Sequence, residues 1–412
     1  MNLDKIYEAR EKLRDVVQLT SLEKSYNLST EFKADVWLKR EDQQIVRSYK
    51  IRGAYNKISS AALSEINNPK VVCASAGNHA QGVALSCALL NIPGVIFMPE
   101  TTPNQKVAKV KQFGGELIEI VLTGDTFDDA FFASQEFTRN NNCLFIHPFD
   151  DDEVIAGQGT IGLEILDQLN KKIDYLFLPI GGGGLAAGVC QVMKTLSPET
   201  KIIGAEPGGA PAMKESILAG KRVTLEKIDK FVDGAAVKTV GAKNFDICRD
   251  LLDDVVLVSE GEVCSRILSL YNDGIIVEPA GSLAVAAMRQ YQDHIQNKTV
   301  VCILSGSNND IARIEEIRER ALLFEGKKFY FLIRFPQRPG ALKDFVTKVL
   351  APDDDITYFQ FSKKNNKESG PAVIGLELYS TRAYNNVIEN LKALKFEFEE
   401  LNKNTSWLDQ FI

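Results

Sequence analysis

From about residue 35 to residue 305, short β-branched apolar runs alternate with stretches whose apolar residues recur at helical spacing. KVVCAS, GVIFMP, LIEIV, IDYLFLP, KIIGAE, VVLVS and TVVCILS read as strands, and segments such as HAQGVALSCALLN and DTFDDAFFASQEFTRN read as helices between them. Parallel strands need a crossover long enough to hold a helix, so this alternation predicts largely parallel sheet with helices on both faces. Ligands of such folds bind outside the carboxyl ends of the strands. The loops that directly follow strands are therefore where chemistry is expected.

The pattern changes after IARIEEIRERALLFEGK, a charged helical stretch. Strand KFYFLIRF, turn and helix RPGALKDFVTKVL, strands ITYFQF and AVIGLEL around the polar hairpin SKKNNKESG, helix RAYNNVIENLKAL and strand KFEFEEL follow in order. That β-α-β-β-α-β order is the ferredoxin-like split unit, with its boundary expected near Gly326. At 412 residues, two or three domains are expected. A net charge of −7 with no basic stripe argues against a nucleic-acid partner. The seven cysteines show no C-x-x-C spacing, which suggests buried, reduced thiols in a cytoplasmic setting and no metal site. No apolar run reaches membrane-spanning length, and the N-terminus reads as a charged amphipathic helix.

Four polar loops follow strands, and they are expected to share one edge of one sheet. The first, VRSYKIRGAYNKI, places Ser48 as the cap of a helix with Lys50 in its first turn. The positive helix end, with Arg47 and Arg52 nearby, is expected to ease loss of the Lys50 proton, as an imine-forming lysine requires. The second, SAGNHAQG, offers Ser75, Gly77, Asn78 and His79 at a strand-to-helix junction suited to a carboxylate or phenolic oxygen. The third holds Gly181, Gly182, Gly183 and Gly184 before Leu185; four glycines in a row are costly in backbone entropy for a turn alone, so an anion cradle is favoured. The fourth, LSGSNND, places Ser305 at a strand end.

Gly182, Gly184 and Ala187 also satisfy the dinucleotide fingerprint, with Glu206 where a ribose-binding acid belongs, so a nicotinamide-dependent dehydrogenase competes. Hydride transfer leaves Lys50 unexplained. An aldehyde cofactor carrying a phosphate uses every loop: the lysine for the carbonyl, the glycines for the phosphate, the Ser-Asn loop for a substrate carboxylate. Pyridoxal 5′-phosphate has that chemistry. A catalytically silent amino-acid sensor is the third reading.

SYKIRGAYNK, SAGNHAQG, PIGGGGLAAG, VEPAGSLA and LSGSN together resemble the threonine dehydratases (threonine ammonia-lyases) of the tryptophan-synthase-β-like pyridoxal-phosphate fold, and FPQRPGAL resembles the ACT-like regulatory domain of their biosynthetic form. The resemblance implies fold type II: a catalytic region of two open, mostly parallel α/β lobes over 1–325, the smaller lobe at roughly 50–150, then a ferredoxin-like domain over 326–412. It implies that Lys50 carries the cofactor and removes the Cα proton of threonine. Asn78 would meet the 3-hydroxyl, Gly181 to Gly184 and Leu185 the phosphate, and Ser305 the ring nitrogen, with Glu278 near the ring. Ser75, Gly77 and His79 would receive the substrate, and Arg338, Pro339 and Gly340 a regulatory ligand. The implied products are 2-oxobutanoate and ammonia, with isoleucine as inhibitor, valine as antagonist and a homotetramer as the assembly. A serine dehydratase or racemase of the same fold is the near alternative. Three positions depart from the family: Tyr49 in place of the commoner phenylalanine, Ser307 in place of a glycine, and PGGAPAM after Glu206, without the second carboxylate of a racemase metal site.

Overall fold

The computed structural model describes residues 3–62, 70–361 and 368–403. The chain divides into two units, Met1–Glu260 with Leu270–Asn309, and Gly261–Ser269 with Asp310–Ile412.

Two sheets build the first unit. One has six strands in the spatial order Leu22–Lys24, Asp35–Arg40, Thr299–Leu304, Tyr175–Pro179, Lys201–Pro207 and Asp254–Val258. Its first pair is antiparallel and the rest are parallel. The other has four parallel strands in the order Ile118–Leu122, Gly94–Met98, Val71–Ala74 and Leu144–Phe145. Every residue of Val71–Ala74, Gly94–Met98 and Tyr175–Pro179 is buried. That is why these runs are continuously apolar: a strand covered on both faces has no side to give to water. The expected pair of open, mostly parallel lobes is what the chain forms. Leu22–Lys24 and Leu144–Phe145 escape a sequence reading, because strands of three and two residues are too short to show a period.

Local capping sets where helices begin. Thr126 and Asp129 form a reciprocal capping box ahead of Phe127–Asn141, and the Asp151 carboxylate accepts from the N–H groups of Glu153 and Val154 to start Asp152–Gln168. This last helix is buried along most of its length and packs on both Lys50–Ala62 and Gly184–Leu196. A Cβ at Gly157 would lie 2.5 Å from the Arg52 carbonyl oxygen, and one at Gly188 would lie 2.6 Å from the Gly159 nitrogen. Glycine thus lets three helices approach almost backbone to backbone, which pins the helix that begins at Lys50.

The second unit contains a four-stranded antiparallel sheet in the order Asp355–Phe361, Ser369–Glu377, Lys328–Pro336 and Glu397–Glu400. Phe331, Ile333 and Phe335 face the helices Ala341–Lys348 and Thr381–Ala393 through Phe345, Val387 and Leu391. Chain order and strand order are those of the ferredoxin-like unit expected from the sequence. Residues 362–367 of the polar hairpin SKKNNKESG lie outside the described residues. No helix among the described residues is long and apolar enough to cross a membrane.

Candidate active site

The four loops do not share one sheet edge. Lys50, the glycine run and Ser305 follow strands of the six-stranded sheet, whereas Ser75 to His79 follow Val71–Ala74 of the four-stranded one. Alternation of strand and helix does not say which strands pair, so one sheet and two sheets look alike in sequence. The loops still meet: Asn78 bonds to Glu278 and Asn308, and Lys50 to Pro148, across the two sheets.

Lys50 is the first residue of its helix. Its Nζ donates to the Pro148 carbonyl oxygen at 2.9 Å and lies 5.3 Å from the centre of the Tyr49 ring. Burial pushes its pKa down to about 8, against the pull of the Glu278 carboxylate. The proton is therefore loosened chiefly by desolvation, and neither arginine contributes to the shift. Arg47 is exposed, and Arg52 is fully buried between Glu41 and Glu164. Ser48 does not cap the helix: its main chain bridges to Gly306, and its buried hydroxyl has no hydrogen-bond partner among the described residues.

Each glycine of the 181–184 run has a reason in the chain's own packing. Added Cβ atoms would lie 2.9 Å from Ala235 Cα at Gly181, 2.2 Å from the Phe149 ring at Gly182 and 2.8 Å from the Phe149 carbonyl at Gly184, while Gly183 has φ +92°. The run therefore serves a tight fit as much as an anion. What favours an anion is the start of the helix Gly184–Leu196, whose first intrahelical bond runs from the Ala187 N–H to the Gly183 carbonyl. The N–H groups ahead of Ala187 belong to a first turn, which leaves them without intrahelical partners and at the positive end of the dipole. Phe149, one residue after the carbonyl that holds Lys50, lies against this run and brings the amine and the helix end together.

Asn78 begins the helix Asn78–Leu90, and its Nδ2 donates to Glu278 Oε1 at 2.6 Å. Burial raises the Glu278 pKa to about 7, with Asp233 adding to the rise and Asn78 opposing it. The Glu278 N–H donates to the Gly306 carbonyl, and the Ser305 carbonyl accepts from the Tyr49 N–H, so the Asn78, Glu278, Ser305 and Lys50 segments are stitched together. Ser305 Oγ is buried and donates to the Ala280 carbonyl at 3.3 Å. Ser75 Oγ accepts from the Gly77 N–H at 3.2 Å. A Cβ built on Gly77 meets nothing within 4 Å, so neither packing nor a positive φ requires glycine there, and the space in front of it is open.

His79 stands apart. It is 4% exposed, its Nε2 is spent on the Ile146 carbonyl at 2.9 Å, and burial followed by the Lys50 charge drives its pKa down to about 3. A neutral imidazole fixed on the main chain is a structural group, and the expectation that it meets substrate has no support in this placement. Glu206 is likewise spoken for: its buried carboxylate accepts from the Met213 and Lys214 N–H groups and seats the helix Ala212–Ala219, leaving no acid to bind a ribose. Ser307 Oγ donates to the Asp42 carbonyl. Arg338, Pro339 and Gly340 lie in the second unit, where Gly340 (φ +81°) precedes Ala341–Lys348 and Arg338 pairs with Asp344 at 2.7 Å. Among the described residues, no group of three or more His, Cys, Asp or Glu could hold a metal ion.

Sequence reasoning missed the segment Ile146 to Asp151. Its carbonyls hold His79 and Lys50, Phe149 covers the glycines, and Asp150 accepts from the Ala242 and Lys243 N–H groups. The segment follows a two-residue strand, which left no pattern to point at it.

These residues fit pyridoxal phosphate. A partly buried lysine whose amine has a lowered pKa suits the aldehyde, a glycine-fronted helix start suits the phosphate, and the Asn78 amide next to the unobstructed Gly77 suits a ring hydroxyl.

The pyridoxal-phosphate dependent enzyme family matches residues 13–306, and the C-terminal regulatory domain of threonine dehydratase matches residues 319–410. A biosynthetic L-threonine dehydratase of Halalkalibacterium halodurans is 55% identical, covering 100% of this chain and 99% of its own. That of Bacillus subtilis is 50% identical over 97% of this chain and 94% of its own. The processed form of threonine deaminase isoform 2 from Solanum lycopersicum superposes with a TM-score of 0.74 at 41% identity, over 78% of this chain and 90% of that one. The chain belongs to the biosynthetic L-threonine dehydratase family of pyridoxal-phosphate dependent enzymes.

Proposed function

We propose that this chain removes water from L-threonine, the resulting aminocrotonate tautomerising and taking up water to give 2-oxobutanoate and ammonia, with pyridoxal 5′-phosphate as cofactor and Lys50 as the residue that carries it and moves the Cα proton. One observation carries the reading: the Lys50 amine, desolvated and lowered to about 8, is held by a single carbonyl beside the start of a glycine-fronted helix.

When bound, the cofactor supplies a conjugated ring that draws electrons away from the substrate Cα and makes its proton removable. The rest falls to the chain. Lys50, neutral far more often than an ordinary lysine, can accept that proton, and Pro148 keeps the amine from swinging away. The first-turn N–H groups at Gly184 and Leu185, with the Gly181 to Gly183 backbone, would hold the phosphate. Ser75 and Gly77 would receive the threonine carboxylate, and Asn78 would donate toward the 3-hydroxyl. Ser305, whose hydroxyl donates to the Ala280 carbonyl, would turn that one hydrogen to the ring nitrogen, a neutral donor too weak to protonate it and suited to elimination coupled to removal of the Cα proton by Lys50. The second unit takes isoleucine as inhibitor, with valine as antagonist, where Arg338-Pro339-Gly340 leads into a helix, and the assembly is a homotetramer.

The purified protein should be yellow, lose that colour on borohydride treatment and produce 2-oxo acid from threonine. Lys50→Ala should abolish both colour and turnover. An active Lys50→Ala enzyme, or a colourless one that reduces a nicotinamide cofactor, would refute the assignment. Serine differs from threonine by one methyl, which discriminates by only about 10- to 200-fold, so slower turnover of serine is expected.

A further inference from the structure

One polar side chain in the site loops has no role above. Asn308 stands three residues beyond Ser305, and its Nδ2 donates to the Val46 carbonyl at 2.8 Å and to Asn78 Oδ1 at 2.7 Å.

The orientation of both amides follows from the Val46 carbonyl. A main-chain carbonyl can only accept, so the end of Asn308 that faces it must be the NH₂ group. The same nitrogen faces Asn78, so Asn78 must turn its oxygen toward Asn308. The Asn78 NH₂ then points the other way, where Glu278 Oε1 receives one of its hydrogens at 2.6 Å. Both hydrogens of the Asn308 amide are used, and the Asn78 oxygen is occupied. What remains is one N–H of Asn78, with no partner among the described residues. The Asn308 main chain also hydrogen-bonds the Glu278 carboxylate, so a single residue steadies both groups that Asn78 touches.

We propose that Asn308 is a positioning residue: by occupying the oxygen of Asn78, it compels that amide to act as a donor toward the phenolic oxygen of the cofactor. The inference rests on the assignment of Asn78 made above. Without Asn308 only the Glu278 contact opposes a flip of the Asn78 amide, which would set its oxygen against an anionic oxygen and repel where the N–H attracts. Ser48, Asn309 and Gln81 hold buried oxygens without partners among the described residues, so they make no hydrogen bond that could set another group's polarity through those atoms.

The test is a double-mutant cycle on the cofactor-free, full-length chain, with the Kd for pyridoxal 5′-phosphate read from the visible band. Asn308→Ala should weaken binding about tenfold, as expected for losing one directed hydrogen bond to a charged group. Asn308→Asp should weaken it at least as much, because a carboxylate of the same shape cannot donate to Val46 or Asn78; it serves if the alanine variant folds poorly. Asn78→Ala should cost about as much or more, and Asn78→Ala with Asn308→Ala should bind no worse than Asn78→Ala alone. The pH at which the visible band changes form should move in the Asn308 variants. An undiminished loss from Asn308→Ala in the Asn78→Ala background would overturn the proposal, as would wild-type Kd and band in Asn308→Asp. If Asn78→Ala itself binds like wild type, the assignment of Asn78 fails first, and that signature differs from the other two.

Discussion

At the scale of single residues, the property that matters most is the proton on Lys50. An ordinary lysine with a pKa near 10.4 is neutral in roughly one molecule in 2,500 at pH 7. With the value near 8, about one in ten is neutral, a gain of more than a hundredfold in reactive amine. Because the neutral form is the reactive one, capture of pyridoxal phosphate by the cofactor-free protein should speed up about tenfold per pH unit below 8 and level off above it. Stopped-flow absorbance across pH 6 to 10 reads that profile, and a midpoint still near 10.5 would show that the amine is solvated after all. The lowered pKa was foreseeable, but its cause was not. Arg52 is two residues from Lys50, hence about 200° around a helix, and residues so spaced do not face each other. Burial, which depends on what packs over the loop, does the work instead.

At the scale of elements, Arg52 explains why the helix behind Lys50 is held so firmly. Its five N–H donors reach Glu41 twice, Glu164 twice and Thr160 once. Lys39 adds three more bonds, to Thr20, Glu164 and Gln168. Two buried cations and two buried anions cancel, and the cluster joins the strand Asp35–Arg40, the turn at Glu41–Gln43 and the helices Lys50–Ala62 and Asp152–Gln168. Such a cluster contributes little net stability when complete, but breaking it strands charge in the core. Arg52→Met should lower unfolding free energy by about 3–5 kcal/mol in a denaturant titration. Arg52→Lys should not restore it, since an ammonium cannot serve two carboxylates in a fixed fork. A change within about 0.5 kcal/mol, the range of ordinary surface substitutions, would show the charges to be solvated. In the sequence these four residues are separate charges in a quarter-charged chain, and only folding assembles them.

At the scale of the whole molecule, the chain carries a catalytic unit and a second unit whose ferredoxin-like order was readable from its strands and helices. The isoleucine site proposed above is the loop before Ala341–Lys348, where Gly340 has φ +81°. A β-branched residue is strained there, so Gly340→Val should deform the loop. Isoleucine titrations of threonine turnover should then show an inhibition midpoint raised about tenfold or more, a loss of at least about 1.4 kcal/mol of binding, with turnover in its absence unchanged. An unaltered midpoint would place the ligand elsewhere.

What the sequence by itself determined is local: which runs are strands, where helices start, and which loops carry amines, amides and glycines, because period, capping and backbone freedom are properties of neighbouring residues. What only the tertiary structure decided is who meets whom. It divided the parallel strands between two sheets, set Pro148 against Lys50 and Phe149 against the glycines, turned His79 onto Ile146 and spent Glu206 on a helix start. All but the Glu206 contact, which spans seven residues, join parts distant in the chain, and contact between distant residues is settled by packing, which no local pattern records.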